Sequence, residues 1–214
     1  MQGLLAAFMN PPLDDEAGFN AWYDDEHVPN RLATPGFRTA TRYKAADSEY
    51  PRYLALYDLD SVAVLESPAY RQLNTERSAR ETAVMATIPM MDRRVLELRV
   101  DCPPWTQDAP YQMTVAMSPP HTAAAYADFI EWYRAEHIQM LLEIPGWRRV
   151  RLFQQLDGQG PAFMAVHELE TPDVFDHPGY PRAIGTPWRA RIRSSVSRYE
   201  RSLFHLHRAF PRPS

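Results

Sequence analysis

The chain has 214 residues, enough for one large domain or two of about 100 residues each. With 45% hydrophobic and 23% charged residues it has the make-up of an ordinary soluble globular protein. A net charge of -4, with acids interspersed among the basic residues, argues against a nucleic-acid surface, and the single Cys102 excludes an intrachain disulfide framework.

Residues 4–9 form a short apolar run that suits a first strand. It is too short for a signal peptide or a membrane span, so no membrane partner is expected. With the reducing compartment that one cysteine implies by default, the expected location is cytoplasmic. Pro11-Pro12 end the run, and Asp14, Asp15 and Glu16 bring acids to the first turn of a helix, where the helix dipole favours them. Phe19, Trp22, Tyr23, Glu26, His27 and Asn30 follow at three- and four-residue spacing and share a helix face. Pro35-Gly36 is a turn. Residues 37–44 and 53–59 read as paired strands across an Asp47-Ser48-Glu49 loop. A second helix is expected from about 60 to 85, running past Pro68, and residues 94–100 read as a closing strand.

The same order then returns. Trp22-Tyr23-Asp24-Asp25-Glu26-His27 recurs as Trp132-Tyr133-Arg134-Ala135-Glu136-His137, and the Pro35-Gly36-Phe37 turn as Pro145-Gly146-Trp147. Ala55-Leu56-Tyr57 matches Ala165-Val166-His167, and Ser67-Pro68-Ala69-Tyr70 matches His177-Pro178-Gly179-Tyr180, with no gap between Trp22 and Tyr70. In this second copy, strands are expected over 112–117, 147–155, 162–169 and 199–207, and helices over 123–143 and 181–196. Arg189, Arg191, Arg193, Arg198 and Arg201 are taken as the solvated face of a helix. The domain boundaries are a first repeat over 1–100, a proline-rich linker over 101–110 that holds Cys102, a second repeat over 111–210, and a tail over 211–214.

Each copy is a βαββαβ unit, which gives a four-stranded antiparallel sheet with both helices on one face. One copy leaves the other sheet face bare. Two copies bury both by packing sheet to sheet, so the expected class is α+β, two ferredoxin-like repeats packed sheet to sheet within one chain.

The motif Trp22-Tyr23-x-x-Glu26-His27-Val28-Pro29, then Pro35-Gly36-Phe37 and Tyr43, resembles the EthD-type branch of the dimeric α/β-barrel superfamily. The resemblance covers both copies, and the second departs at Gln139 and Phe153. It implies a pocket between the sheet and helices of each unit, on a scaffold that hosts monooxygenases, cyclases, isomerases, dehydratases and haem enzymes. It also implies that the duplication supplies both halves of a barrel that other members build from two chains. The partner is a small-molecule substrate, and the chain is a monomeric pseudo-dimer or a homodimer.

His27 and His137, each four residues after a Tyr on an amphipathic helix, are the candidate acid/base groups, because imidazole titrates near neutral pH. The competing reading is that both bond backbone and orient the following turn. Tyr23, Tyr133, Tyr57 and His167 are the assisting donors. Trp22 and Trp132 are expected as pocket walls, and Arg42 and Arg151, with Arg149, as holders of a carboxylate or enolate oxygen. No cofactor-binding residue is assigned, since the eight glycines form no phosphate-binding fingerprint. No metal site is assigned either; the alternative is His205 and His207, two apart on a strand, joined by His137 or His167. The leading function is cofactor-independent acid/base chemistry (isomerase, cyclase, dehydratase or lyase type) on a small aromatic, polyketide-like or lactone/enone substrate. The alternatives are a non-catalytic small-molecule-binding or stress-type barrel protein, and a cofactor-free monooxygenase of a phenol. The second copy, with its extra His167, is the favoured pocket.

Overall fold

A computed structural model describes residues 1–46, 51–103 and 109–210. The Asp47-Ser48-Glu49 loop, the middle of the expected linker and the 211–214 tail lie outside the described residues. The first copy contains β1 (Gly3–Asn10), α1 (Glu16–Trp22), α2 (Val28–Leu32), β2 (Phe37–Ala45), β3 (Tyr53–Leu59), α3 (Pro68–Thr75), α4 (Ala79–Thr87) and β4 (Met90–Cys102). The second contains β5 (Tyr111–Ser118), α5 (Ala123–Trp132), α6 (Ile138–Leu142), β6 (Trp147–Asp157), β7 (Phe163–Leu169), α7 (Gly179–Ile184), α8 (Pro187–Ser195) and β8 (Arg198–Phe210). No helix among them is long and apolar enough to cross a membrane.

The strands close into one antiparallel barrel in the order β1-β3-β2-β8-β5-β7-β6-β4, with β4 returning to β1. Alternation along each strand sends Leu4, Ala6, Phe8, Leu54, Leu56, Phe153, Met164, Val166 and Phe204 into the barrel, where they form a single cluster. The opposite faces carry two separate clusters, one per copy, each packed under that copy's helices. The duplicated chain therefore buries the bare face of each sheet against the other, as the repeat predicts.

The latches between the copies are β4 and β8, 13 residues each and longer than the sequence suggests. The first part of β4 pairs with β1 and its last residues, including Asp101 and Cys102, pair with β6. Likewise β8 pairs with β5 and then β2. Each crossing carries a bulge, at Arg99 and at His207, which bends the strand as it changes sheets and interrupts the period-two pattern that marks a strand in sequence. Cys102 ends β4 rather than sitting in a linker.

The helices are also more broken than expected. The expected 60–85 helix is a short 3₁₀ turn, α3 and α4, and its partner is a 3₁₀ turn, α7 and α8. Proline heads α3 and α8, and Ser67, Ser78 and Thr186 cap α3, α4 and α8, so these three helices each restart with their own N-cap. Arg198 and Arg201 lie on β8, leaving only Arg189, Arg191 and Arg193 on α8. After α2 and α6 the chain turns at Gly36 and Gly146, with φ of 94° and 91°, a region that glycine enters without a Cβ clash.

Candidate functional site in the second copy

The Trp-Tyr-x-x-Glu-His motif does not sit in a regular α-helix. In both copies the five residues from Tyr to His form a π-turn: the Val28 N–H donates to the Tyr23 carbonyl, and the Ile138 N–H to the Tyr133 carbonyl. Pro29 is not its cause, because the second copy has Gln139 there and forms the same turn. Glu26 and Glu136 point outward and accept hydrogen bonds from Ser78 and Thr186, the N-cap residues of α4 and α8. The histidines point the other way, into the layer between helices and sheet. The His27 ring lies 4.6 Å from Trp22 and 4.5 Å from Tyr23, and the His137 ring lies 4.6 Å from Trp132 and 5.3 Å from Tyr133. Both tryptophans are wholly buried and brace the imidazoles from behind.

The copies diverge around this shared frame. In the first, a carboxylate stands before His27: Glu81 Oε1 lies 3.4 Å from His27 Nδ1 and 3.5 Å from Arg31 Nη2, and the Tyr57 hydroxyl donates to Tyr23 at 3.2 Å. In the second, Leu141 replaces Arg31, His167 replaces Tyr57, and Arg189 replaces Glu81. That last equivalence follows from the caps: Glu81 N–H bonds Ser78 Oγ, and Arg189 N–H bonds Thr186 Oγ1. A chamber of about 30 Å³ remains there, lined by His137, His167, Trp147, Arg189, Tyr199 and Arg201 among others. It is large enough for one or two waters. His137 Nδ1, both ring nitrogens of His167 and Trp147 Nε1 are buried beside it with no hydrogen-bond partner among the described residues.

Burial holds both imidazoles of the chamber neutral. The conjugate acid of His137 is pushed down to about 3, chiefly by desolvation and then by the Arg189 charge, and the Ala183 backbone opposes this. His167 is pushed well below the ordinary range by burial, with His137 and Arg201 adding to it. Desolvation and Arg31 lower His27 to about 3 as well, against its Glu81 contact. Tyr133, raised by burial, stays protonated, as do Tyr23 and Tyr57.

The structure thus brings His137 and His167 together, with Tyr133 behind them, and groups His27 with Tyr23 and Tyr57 in a first-copy cluster. Trp22 and Trp132 pack behind the histidines and do not line the chamber. Arg42 is occupied under α1: it pairs with Asp24, donates to Asn20 at 2.7 Å and stacks 4.3 Å over Tyr23. Arg151 lies on the other side of the sheet, inside the barrel, paired with Asp58 at 2.5 Å and Glu168 at 3.5 Å, and Arg149 joins the same network through Asp101 and Glu168. None of the three arginines expected as oxygen holders lines the chamber.

His207 lies 3.8 Å from Asp24 in the first copy, and His205 beside its own strand backbone; neither meets His137 or His167. Among the described residues no group of three His, Cys, Asp or Glu side chains is arranged to hold a metal. A larger cavity, about 520 Å³, opens at one end of the barrel. Its buried cation, Arg94, is neutralised by Asp92 at 2.5 Å and Glu200 at 2.7 Å.

No known-family profile matches the chain, and no curated protein matches its sequence. Solved structures do match along nearly its whole length. An anthrone oxidase-like protein superposes with a TM-score of 0.70 at 12% identity, covering 98% of this chain and 92% of that one. A monooxygenase-like protein of Fusobacterium nucleatum gives 0.64 at 8% identity over 98% and 94%. Another, from Lactobacillus acidophilus, gives 0.63 at 11% identity over 99% and 96%. The chain has the dimeric α/β-barrel fold. At these identities the likeness carries the fold and no finer branch, and a fold of this kind leaves the chemistry to the site.

The residues that sequence reasoning missed are Arg189, Arg201 and Tyr199 in the second copy, and Glu81 and Arg31 in the first. One signal was present. The offset between copies is 110 at Tyr57 and His167, but 108 at the caps Ser78 and Thr186, so an ungapped alignment sets Glu81 against Arg191 and hides the exchange with Arg189.

Proposed function

We propose that the protein is a small-molecule enzyme with one reacting centre, the second-copy chamber, in which His137 and His167 move a proton on a small aromatic, polyketide-like or lactone/enone substrate. The observation that carries this reading is the asymmetry between the copies. The first copy sets Glu81 against His27 and joins Tyr57 to Tyr23, whereas in the second His137 Nδ1 and both ring nitrogens of His167 lie beside a cavity with no hydrogen-bond partner among the described residues. Buried polar groups ordinarily find partners, and an unpaired set at a cavity is the usual mark of a site rather than of a core. The Trp-Tyr-x-x-Glu-His resemblance to EthD-type proteins supports the same kind of pocket.

A neutral imidazole whose conjugate acid lies at about 3 is a weak base in the empty site. It accepts a proton only from a substrate whose conjugate anion is stabilised in place, and that anion in turn raises the imidazole. The proton leaves a carbon or hydroxyl of the substrate, rests on an imidazole nitrogen, and returns at another atom, which yields isomerisation or sets up elimination without a cofactor. Tyr199 and Arg201 form the rim, and Tyr199 is 41% exposed, so a ring enters when these side chains swing outward.

A second reading has its own support: the fold neighbours include anthrone oxidase-like and monooxygenase-like proteins. In that case the same deprotonation produces a phenolate that reacts with dioxygen. The test of the proposal is turnover of a panel of small phenols, enones and lactones, with and without oxygen. His137→Ala and His167→Ala should lower kcat/KM by about 100-fold or more, the usual scale of general acid–base catalysis. His27→Ala should leave turnover of the folded fraction within a fewfold. Equal losses in all three variants, or none, contradict the assignment. Oxygen consumption in step with turnover selects the oxidative reading.

A further inference from the structure

The exchange of Glu81 for Arg189 reverses the charge at the mouth of the second pocket. In the first copy that position supplies the carboxylate that faces His27 and Arg31. In the second it supplies a guanidinium, half-buried, with no carboxylate within ion-pair distance among the described residues. Its Nη1 donates to the Ile184 carbonyl at 2.6 Å, which fixes the group at the end of α7 beside the chamber. Arg201, 5.0 Å over the Phe175 ring, is the second cation of the lining. Among the described residues no acidic side chain lines the chamber, and Met113, Val115, Met117 and Leu141 make its remaining wall apolar. A half-buried cation without a counter-charge is costly to keep, and an anion that brings two acceptor oxygens to a guanidinium fork is its natural complement.

Resting on the chamber being the reacting centre, we infer that it selects anionic substrates, small apolar molecules that carry a carboxylate or a phenolate, and that Arg189 is the residue that does the selecting. The anion's oxygens take the guanidinium, the apolar body lies along the methionine and leucine wall, and the imidazole nitrogens face the atoms that react. Copy one, with Glu81 in the same place, opposes such a molecule by charge.

The test uses the full chain with benzoate and its neutral isostere benzamide, with affinity read by calorimetry and the location read from the imidazole ¹⁵N resonances of His137 and His167. Benzoate should bind and shift both resonances, and benzamide should bind at least about tenfold more weakly. Arg189→Gln should weaken benzoate by about tenfold and Arg189→Glu by about 100-fold, with benzamide little changed. Arg189→Met, which keeps the side-chain volume, supplies the same loss if the charge reversal impairs folding. Equal binding of the two ligands at His137 and His167, or full benzoate affinity in the Arg189 variants, overturns anion selection and leaves the chamber as the site. Failure of both ligands to perturb His137 and His167 overturns the chamber assignment together with the inference.

Discussion

Three buried histidines dominate the residue scale, and each is held neutral. The unfolded chain protonates them near the ordinary value of 6.5, whereas folded His27 and His137 do so only near 3 and His167 well below 6.5. Between those limits the unfolded state binds more protons, so stability rises with pH through this window and is lost as pH falls below about 6.5. Each imidazole contributes a slope of up to about 1.4 kcal/mol per pH unit. Urea denaturation at pH 7, 6 and 5 should therefore show a steep loss, shallower in His27→Asn; a flat profile contradicts the burial of neutral imidazoles. The Tyr57 hydroxyl gives a simpler test. Tyr57→Phe removes its bond to Tyr23 and should cost about 1 kcal/mol, whereas Trp132→Ala, which opens a hole behind His137, should cost about 3–5 kcal/mol. At this scale the repeat singled out His27, His137 and His167, and all three are buried between helices and sheet. Partners that come from distant elements, such as Glu81 and Arg189, leave no local pattern around them.

At the scale of elements, the strand–helix–strand order was legible because hydrophobic period and turn residues are local properties. The 53–59 strand and the 123–132 part of the expected 123–143 helix appear as read, and the Pro-Gly turns fall where glycine's conformational freedom is needed. The π-turns were not legible, since the residues Tyr23–His27 have ordinary helical spacing and only backbone hydrogen bonding distinguishes the wider turn. That turn sets the direction of the histidine. Deleting the exposed Ala135 should restore four-residue bonding and rotate Tyr133 and His137 relative to each other by about 100°. The expected outcome is a loss of several kcal/mol in urea denaturation and of any ligand-induced shift at His137, whereas Arg134→Ala should stay within about 0.5 kcal/mol. Equal effects of the two changes would show that the turn is incidental. The ends of β4 and β8 were also hidden, because the bulges at Arg99 and His207 break the alternation that reveals a strand.

For the whole molecule, duplication predicted closure of the barrel within one chain, since two sheets with bare apolar faces have no smaller solution. What duplication could not show is which polar residues face the inside. Arg42 and Arg151 both lie on second strands, yet one packs beneath a helix and the other inside the barrel. Arg151 ties the copies together through Asp58 of the first and Glu168 of the second. Arg151→Ala leaves these carboxylates facing each other and should destabilise the chain by about 3–5 kcal/mol, read by urea denaturation; a change under about 1 kcal/mol would mean that the pair does not couple the copies. The central claim is that two copies of one architecture have divided into a support and a single reacting pocket. The most direct measurement is a fragment screen followed by the imidazole ¹⁵N resonances of the intact chain. Fragments that bind should shift His137 and His167 and leave His27 unmoved. Binding that shifts His27 instead, or that touches only the barrel mouth around Arg94, would contradict it.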